Sequence, residues 1–241
     1  MEEFNHNYIT QSELKRKYVR RMFNAIARKY DFLNHLLSFG FDIYWRRFAI
    51  NKLNLSGFER VVDIACGTGD FSLSAYKKRK VKIVGVDVSV NMLKIFAEKA
   101  RRKRVNSLSL LCAEAESLPF KENVFDICLV AFGVRNFSSL EKGLKEIYRV
   151  LEDGGKLAVL EFSLPKPPLR QIYLFYFRKV LPVIGKIISR HDNAYTYLPE
   201  SVLRFPEGMD FVKILNEVGF KRVKMWRLTF GIVTLYIAYK L

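Results

Sequence analysis

The segment Val61–Asp70, which reads VVDIACGTGD, decides the fold of this 241-residue chain. It opens with a short apolar run of β-branched residues, as buried strands do, and continues at once into Gly67 and Gly69. Two glycines allow the backbone to pass close to a ligand where a strand turns into a helix. The segment therefore predicts a strand, a ligand-binding turn and a helix.

The regions around this segment continue the alternation of strands and helices. We predict further strands at residues 82–86, 125–130 and 156–160, and helices at 69–78, 90–103 and 139–150. Alternating strands and helices form a parallel sheet with helices on both faces. The predicted fold class is therefore α/β, with a doubly wound, mostly parallel Rossmann-like sheet.

The two ends of the chain add elements around this core. An amphipathic helix at 12–30 and a helix at 45–53 precede the first strand; the alternation stops at 166–205 and returns with a helix at 207–218 and strands at 220–228 and 231–239. We expect one domain over residues 1–241. Its parts are an N-terminal helical cover (1–55), a cofactor-binding core (56–163), a lid or substrate insertion on the strand-end side of the sheet (164–206), and a C-terminal helix with strands (207–241).

Composition and charge narrow the class of protein. Half of the residues are apolar and 27% are charged, which suits a folded chain rather than a disordered one. The formal net charge of +17 attracts nucleotides, nucleic acid or anionic lipids. From the sequence we expect no signal peptide and no membrane-spanning helix, and its three cysteines lack C-x-x-C spacing. We expect a cytoplasmic protein without a disulfide framework.

An acidic residue at the end of the next strand sharpens the ligand expected at the glycine turn. Asp87 ends the run Val84–Asp87, eighteen residues after Gly69, where a carboxylate can accept both hydroxyls of an adenosine ribose. The third glycine of a dinucleotide motif is absent, because Ser72 occupies its place. The alternative is a purely structural turn in which Asp87 caps the following helix.

These motifs together resemble those of the Rossmann-like S-adenosylmethionine-dependent methyltransferases. The resemblance implies S-adenosylmethionine as the cofactor. It also implies that Asp63 and the turn residues Gly67, Thr68 and Gly69 hold the amino-acid part, and that Asp87 holds the ribose.

The segment Glu114–Phe120 resembles the one with which such enzymes bind adenine. The resemblance implies that the Glu114 side chain binds the adenine amino group and that the backbone N–H of Ala115 binds the ring. The family more often has Asp or Asn where Glu114 stands, so Glu116 is the alternative partner of adenine.

More specific motifs resemble the C-methyltransferases of menaquinone and ubiquinone biosynthesis, over about residues 18–240. Glu152 departs from the pattern, since the family usually carries Lys or Arg before its Gly-Gly turn. The matching segments are Tyr30–Asn34, Ser38–Gly40, Trp45-Arg46, Phe132–Asn136, Arg149–Gly155, Leu160–Ser163, Tyr195–Ser201 and Phe205-Pro206.

This resemblance implies methylation of a ring carbon on a reduced polyprenyl quinone, which is then the substrate. Arg135 is expected to stabilise the oxyanion that develops on the ring, or to organise a water that takes the proton. Asn136 is expected to bind a ring oxygen. Tyr30 is expected to close the N-terminal cover over the site with Asp31 and Asn34. The alternatives are a surface salt bridge for Arg135, and a capped helix end with Asn34 in a turn.

The segment 163–190 combines an apolar, aromatic sequence with basic residues and no acid. Its basic residues are Lys166, Arg170, Arg178, Lys179, Lys186 and Arg190. The segment suits an interfacial helix on an anionic membrane, which would make the protein peripheral on the inner face. It equally suits a lid or a homodimer face.

We assign no metal site, because the histidines lack metal spacing. His191 beside Asp192 is the only histidine near the suspected site segments.

Two other functions remain open at this point. An RNA methyltransferase fits the charge, but the Asn-Pro-Pro-Tyr strand end and the Pro-Cys nucleophile of base methylation are absent, so we expect no nucleic-acid substrate. A non-catalytic adenosine-binding scaffold of a quinone biosynthetic complex is the other alternative. The sequence leaves open whether the head group is a naphthoquinol or a benzoquinol.

Overall fold

A computed structural model describes residues 2–180 and 192–241. Within these ranges the centre of the molecule is a seven-stranded sheet in the order β3-β2-β1-β4-β5-β7-β6. The strands β1 to β5 run parallel, and β7 pairs antiparallel with both β5 and β6. The strands are β1 (Arg60–Ile64), β2 (Lys82–Asp87), β3 (Leu108–Cys112), β4 (Phe125–Ala131), β5 (Leu151–Phe162), β6 (Lys221–Leu228) and β7 (Val233–Tyr239).

Helices cover both faces of the sheet, as the alternation predicts. Serine side chains cap two of them: Ser89 accepts from Met92 N at 3.2 Å, and Ser139 accepts from Lys142 N at 3.4 Å. The predicted α/β, doubly wound class is confirmed. The helices are α1 (Glu2–Leu37), α2 (Phe41–Leu53), α3 (Asp70–Lys78), α4 (Val90–Arg102), α5 (Leu140–Val150), α6 (Leu169–Phe175), α7 (Asp192–Arg204) and α8 (Met209–Val218).

The apolar core has three parts. One lies between the sheet and helices α2, α3 and α4, and a second lies between the opposite face and helices α5 and α8. The third joins the N-terminal cover to the insertion, where Leu33 of α1 shares a cluster with Tyr173 and Phe177. The predicted insertion therefore packs against the N-terminal helix, while the division of the chain into four parts stays a prediction.

Two sequence predictions need correction. The strand β3 was not predicted, although it forms the edge of the sheet beside β2. The first helix is much longer than the predicted 12–30, since it extends to Leu37. The alternative that placed Asn34 in a turn is therefore wrong, because Asn34 lies inside the helix.

The crevice of the sheet opens between β1 and β4, where the strand order reverses. Ligands of open α/β sheets bind at the carboxyl ends of the strands at such a point. In the described part of the chain, no helix combines the length and the apolar character that a bilayer crossing needs.

Candidate active site

A cavity of about 260 Å³ lies at this crevice, and four of the seven predicted cofactor residues line it. They are Gly67 after β1, Asp87 at the end of β2, and Glu114 and Ala115 after β3. The helix α1 forms the opposite wall. Asp63, Thr68 and Gly69 lie behind the lining, in the strand and turn that shape it.

Asp87 is a buried acid that the backbone holds in place. Its Oδ2 accepts from Gly67 N at 2.8 Å, and its Oδ1 accepts from Ser89 N at 2.8 Å. Burial raises the pKa of Asp87 to about 6, although these hydrogen bonds oppose the shift. Each carboxylate oxygen can accept a second hydrogen bond, so two ligand hydroxyls can be received. Ser89, rather than Asp87, caps α4.

Asp63 supports the turn from within the sheet. Its Oδ2 accepts from the Ser72 hydroxyl at 2.6 Å and from Ser72 N at 3.2 Å. Ser72, which stands where a dinucleotide motif has its third glycine, therefore serves as a hydrogen-bond donor to Asp63. Its Oδ1 is buried and has no hydrogen-bond partner in the described part of the chain. Burial raises the pKa of Asp63 to about 7.

Thr68 fastens the N-terminal helix to the glycine turn. Its hydroxyl donates to Asp31 Oδ1 at 2.5 Å, and Lys99 Nζ donates to Asp31 Oδ2 at 2.8 Å. Lys99 also pairs with Asp70 at the start of α3. Gly69 has a φ of +83°, and a Cβ at this position would lie 2.1 Å from the Phe96 ring. Both residues therefore fix the turn.

Glu114 and Glu116 both line the cavity but have different partners. Glu116 Oε1 accepts from the Ser138 hydroxyl at 2.6 Å and from Ser139 N at 3.1 Å, which anchors the loop before α5. Glu114 Oε2 accepts from Arg16 of α1 at 2.7 Å. Glu114 is therefore paired with a side chain of the covering helix α1, whereas Glu116 is bound to the loop before α5.

A second cavity of about 340 Å³ adjoins the first, and its walls are mostly apolar. Phe23, Tyr30 and Phe132 line both cavities and so form the wall between them. Helices α1, α2, α6 and α7 contribute much of the rest, together with the end of β5 and the turn at Phe230. Burial raises the pKa of Tyr30, while a hydrogen bond with Asn34 and the charges of Arg135 and Arg46 act in the opposite direction. Tyr30 therefore stays a neutral phenol at the junction.

Arg135 and Asn136 are consecutive residues of one short helical turn, yet they line different cavities. Arg135 lines the apolar cavity and Asn136 lines the cofactor cavity. The Asn136 amide donates to Phe132 O at 3.3 Å, whereas its Oδ1 is buried without a hydrogen-bond partner among the described residues. This turn therefore joins the two cavities.

The Arg135 guanidinium is buried and held by Glu161. Arg135 Nη1 donates to Glu161 Oε1 at 2.7 Å, and the side chains are 6% and 1% exposed. Arg135 Nε donates to Ser201 of α7 at 3.3 Å, and the guanidinium lies 5.4 Å from the centre of the Phe162 ring. Burial raises the pKa of Glu161 despite the opposing charge of Arg135. The surface salt bridge considered for Arg135 is therefore wrong, because this pair is buried.

Sequence reasoning missed a polar cluster in the wall of the apolar cavity. Asp42 accepts from His35 Nδ1 at 2.8 Å and from the Ser38 hydroxyl at 2.8 Å, and it pairs with Arg46. Ser38, Asp42 and Arg46 line the cavity, and His35 lies directly behind them. Ser38 and Arg46 lie in two of the family segments quoted above, and this is the sequence feature that could have indicated the cluster. The prediction that only His191 lies near the site is wrong for His35, while His191 itself lies outside the described residues.

His35 and Asp42 also approach Asp70, and their ligand atoms lie within 4.8 Å of one another. Arg46 already neutralises Asp42, and Lys99 already neutralises Asp70. A further cation would therefore meet paired carboxylates, so we assign no metal to this cluster.

The residues of the first cavity fit S-adenosylmethionine. A buried carboxylate suits the ribose, Gly67 lets the ligand approach the backbone, and the unpartnered Oδ1 of Asn136 is a buried acceptor in the same cavity. A mostly parallel sheet with these features at its switch point defines a Rossmann-like methyltransferase.

Solved structures share this fold. A SAM-dependent methyltransferase of Thermotoga maritima superposes with a TM-score of 0.66 at 22% identity, covering 92% of this chain and 99% of that one. Phosphoethanolamine N-methyltransferase 2 of Haemonchus contortus, solved with S-adenosyl-L-methionine, gives 0.61 at 16% identity over 80% of this chain and 52% of that one.

The chain belongs to the ubiE/COQ5 methyltransferase family, whose model matches residues 11–240. It is 42% identical to the demethylmenaquinone methyltransferase of Bacteroides fragilis, covering 94% of both chains. It is 45% identical to the ubiquinone/menaquinone biosynthesis C-methyltransferase UbiE of a Geobacter species, covering 92% of this chain and 96% of the relative. The family prediction is confirmed.

Proposed function

We propose that this enzyme transfers the methyl group of S-adenosylmethionine to a ring carbon of a reduced polyprenyl quinone. The observation that carries the proposal is the turn Val134–Asn136, because Arg135 lines the apolar cavity and Asn136 lines the cofactor cavity. A ring in the apolar cavity is thereby next to a methyl donor in the other. The relative from Bacteroides fragilis is named a demethylmenaquinone methyltransferase, and the one from Geobacter is named a C-methyltransferase of ubiquinone/menaquinone biosynthesis, which supports the proposal.

The cofactor is assigned to the first cavity. Asp87 accepts the ribose hydroxyls, and Gly67 provides the close backbone approach. Glu114, rather than the anchored Glu116, binds the adenine amino group, with Ala115 N–H on the ring. Asp63, Thr68 and Gly69, predicted to hold the amino-acid part, act by shaping the turn around it. When bound, the cofactor supplies a methyl group on a positively charged sulfur.

The residues of the second cavity prepare the ring carbon. A quinol carbon becomes nucleophilic when the neighbouring oxygen carries negative charge, and Arg135 stabilises that charge in an apolar surrounding. Arg135 cannot accept a proton at neutral pH, so its role is electrostatic. Glu161 fixes the guanidinium from behind, and Tyr30 separates the two cavities. Asn136 holds the ring oxygen from the cofactor side.

A direct transfer assay tests the proposal. The purified enzyme receives S-adenosylmethionine with a 13C-labelled methyl group and a chemically reduced, short-tailed demethylated naphthoquinol or benzoquinol. We expect the label on a ring carbon of one or both quinols, and the more active quinol identifies the head group. Label on a hydroxyl oxygen, or on RNA supplied in the same assay and not on quinols, would contradict the proposal.

We also propose that the mouth of the apolar cavity rests on an anionic membrane. Phe39 and Phe230 at this mouth are 78% and 80% exposed, and Ile172 is exposed beside them. Lys166 and Arg170, in the segment that also contributes Ile172, are exposed as well. Apolar side chains can enter the lipid while the cations meet its phosphates, so a prenyl tail can pass into the cavity. Residues 181–190 of the predicted interfacial segment lie outside the described residues.

Vesicle co-sedimentation tests the membrane contact. Replacing Phe39 and Phe230 together with Ser should weaken binding to phosphatidylglycerol vesicles at least about tenfold, since burial of each ring contributes about 1.5–3 kcal/mol. Phe58→Ser is the matched control, because Phe58 is 90% exposed but precedes β1, at the opposite edge of the sheet. Equal loss in the control, or none in the double variant, would contradict the contact.

A further inference from the structure

The apolar cavity contains a carboxylate that the transfer of a methyl group does not require. Of the described residues that line this cavity, Asp42 is the one with a carboxylate. It is buried, and Arg46 together with hydrogen bonds from His35 and Ser38 outweighs the effect of burial, so that the pKa of Asp42 lies below its usual value. The group is therefore an anion at neutral pH, and an ionised carboxylate only accepts hydrogen bonds.

The contacts of Asp42 leave one position for a ligand. A carboxylate offers about four acceptor positions. His35 Nδ1 and Arg46 Nη1 both donate to Oδ2, whereas among the described residues Oδ1 receives only the Ser38 hydroxyl, at 2.8 Å. Because Ser38 donates its proton to Asp42, its own oxygen acts as an acceptor here, and it receives Asp42 N at 3.5 Å. This part of the wall therefore favours a ligand group that donates a hydrogen bond.

The two redox states of the substrate differ in that property. A quinol hydroxyl donates a hydrogen bond, whereas the carbonyl oxygen of the quinone can only accept one. A carbonyl oxygen beside Asp42 would face the remaining lone pair of Oδ1 with no proton between the two oxygens, which is unfavourable in a desolvated site. Arg135 in the same cavity does not make this distinction, since its N–H groups can donate to either oxygen.

We infer that Asp42 is the residue that selects the reduced substrate, by accepting a hydrogen bond from a quinol hydroxyl and excluding the quinone. The inference rests on the proposed function, because it takes the apolar cavity as the quinol site. His35, Ser38 and Arg46 are positioning residues that keep the carboxylate ionised and oriented. The selection occurs on binding, before any methyl transfer.

Calorimetry without cofactor, under anaerobic conditions, tests the inference on the wild-type protein. The ligands are the short-tailed quinol that is the better substrate in the transfer assay, its quinone, and the dimethyl ether of that quinol, which is reduced but has no hydroxyl proton. A hydrogen bond to a charged group corresponds to about a tenfold or greater change in Kd. The quinol should therefore bind at least about tenfold more tightly than both other ligands. Equal binding of the quinol and the ether would overturn the inference.

Two variants locate the effect. Asp42→Asn keeps the shape but gains an N–H donor, so its preference for quinol over quinone should fall to within about threefold. Asp70→Asn is the matched control, because Asp70 also lies near His35, at 3.9 Å, but does not line the cavity; it should keep the full preference. A preference retained in Asp42→Asn with intact nucleoside binding would assign selection elsewhere.

These outcomes are separable from those of the proposed function. If none of the three ligands binds, or if the wild-type enzyme methylates no quinol, the proposed function itself fails. If quinol is methylated and the wild-type protein binds quinol and quinone equally, only the selection by Asp42 fails. The wild-type comparison needs no substitution, so it can refute the inference even if Asp42→Asn does not fold.

Discussion

Glu161→Ala should both destabilise the fold and slow the reaction, although Glu161 lines neither cavity. The residue lies near the end of β5, where its carboxylate meets the Arg135 guanidinium at 2.7 Å and also accepts from Phe162 N at 2.9 Å. Removing it leaves a buried cation without its counter-ion. The substitution therefore affects Arg135 on the side away from the cavities and removes no residue that lines them.

The magnitude follows from the burial of the pair. Breaking a buried ion pair by removing one partner costs about 3–5 kcal/mol, because the remaining charge is uncompensated. Loss of a positioned oxyanion donor costs about a hundredfold or more in rate. The double variant Arg135→Ala/Glu161→Ala should be less destabilised than the sum of the single variants, since it leaves no unpaired charge. Binding of a cofactor nucleoside should be unchanged in Glu161→Ala.

Denaturant unfolding and turnover at saturating substrate measure the two effects. Glu152→Ala is the control, because Glu152 pairs with Arg60 at 2.6 Å on the surface and its loss should cost no more than about 1 kcal/mol. If Glu161→Ala unfolds at the same denaturant concentration as this control and keeps its turnover, the positioning role of Glu161 is refuted.

Three further predictions concern the cofactor cavity. Asp87→Asn should weaken binding of 5′-methylthioadenosine at least about tenfold by calorimetry, since charged hydrogen bonds to the ribose are lost; unchanged affinity in a folded variant would remove Asp87 from the site. The pKa of Asp87 is raised to about 6, so below that pH the carboxyl is protonated and accepts the ribose hydroxyls less well. The affinity of the wild-type protein for this nucleoside should therefore fall as the pH drops below about 6 and stay level above it. An affinity that does not change with pH would contradict this. Gly69→Ala should lower the free energy of unfolding by about 2 kcal/mol or more, because its Cβ would lie 2.1 Å from the Phe96 ring. Gly154→Ala is the control: Gly154 has a φ of +81° and nothing within 4 Å of its Cβ position, so this variant should cost about 1 kcal/mol. Equal shifts of the thermal unfolding temperature in the two variants would exclude the clash as the cause.

The sheet was predictable where the sequence pattern is strong. The strands β1, β2, β4 and β5 each contain a short, mostly apolar run, as is typical of strands buried on both faces. The strand β3 lies at the edge, is only partly buried and carries no β-branched residue, so its sequence LSLLC gave a weak signal. The end of α1 was misplaced because Asn34 and Ser38 are typical of helix ends, whereas packing of Leu33 in the third core cluster extends the helix.

The sequence predicts which residues belong to the site, but it does not predict how most of them contact one another. The glycine turn and Asp87 adjoin in space because parallel strands bring their carboxyl ends together. The burial of Arg135 against Glu161, and the cluster of Asp42 and His35, depend on how α1, α2 and β5 pack. Such contacts join residues far apart in sequence, so no local pattern reports them.

The quinone pool of cells that lack this protein gives the most direct test of the central claim. Mass spectrometry should find a precursor one methyl group lighter than the mature quinone, and the wild-type gene should restore the mature form. The Arg135→Ala gene should not restore it, provided that the variant accumulates as a folded protein. A quinone pool that is unchanged without the protein would contradict ring methylation as its function.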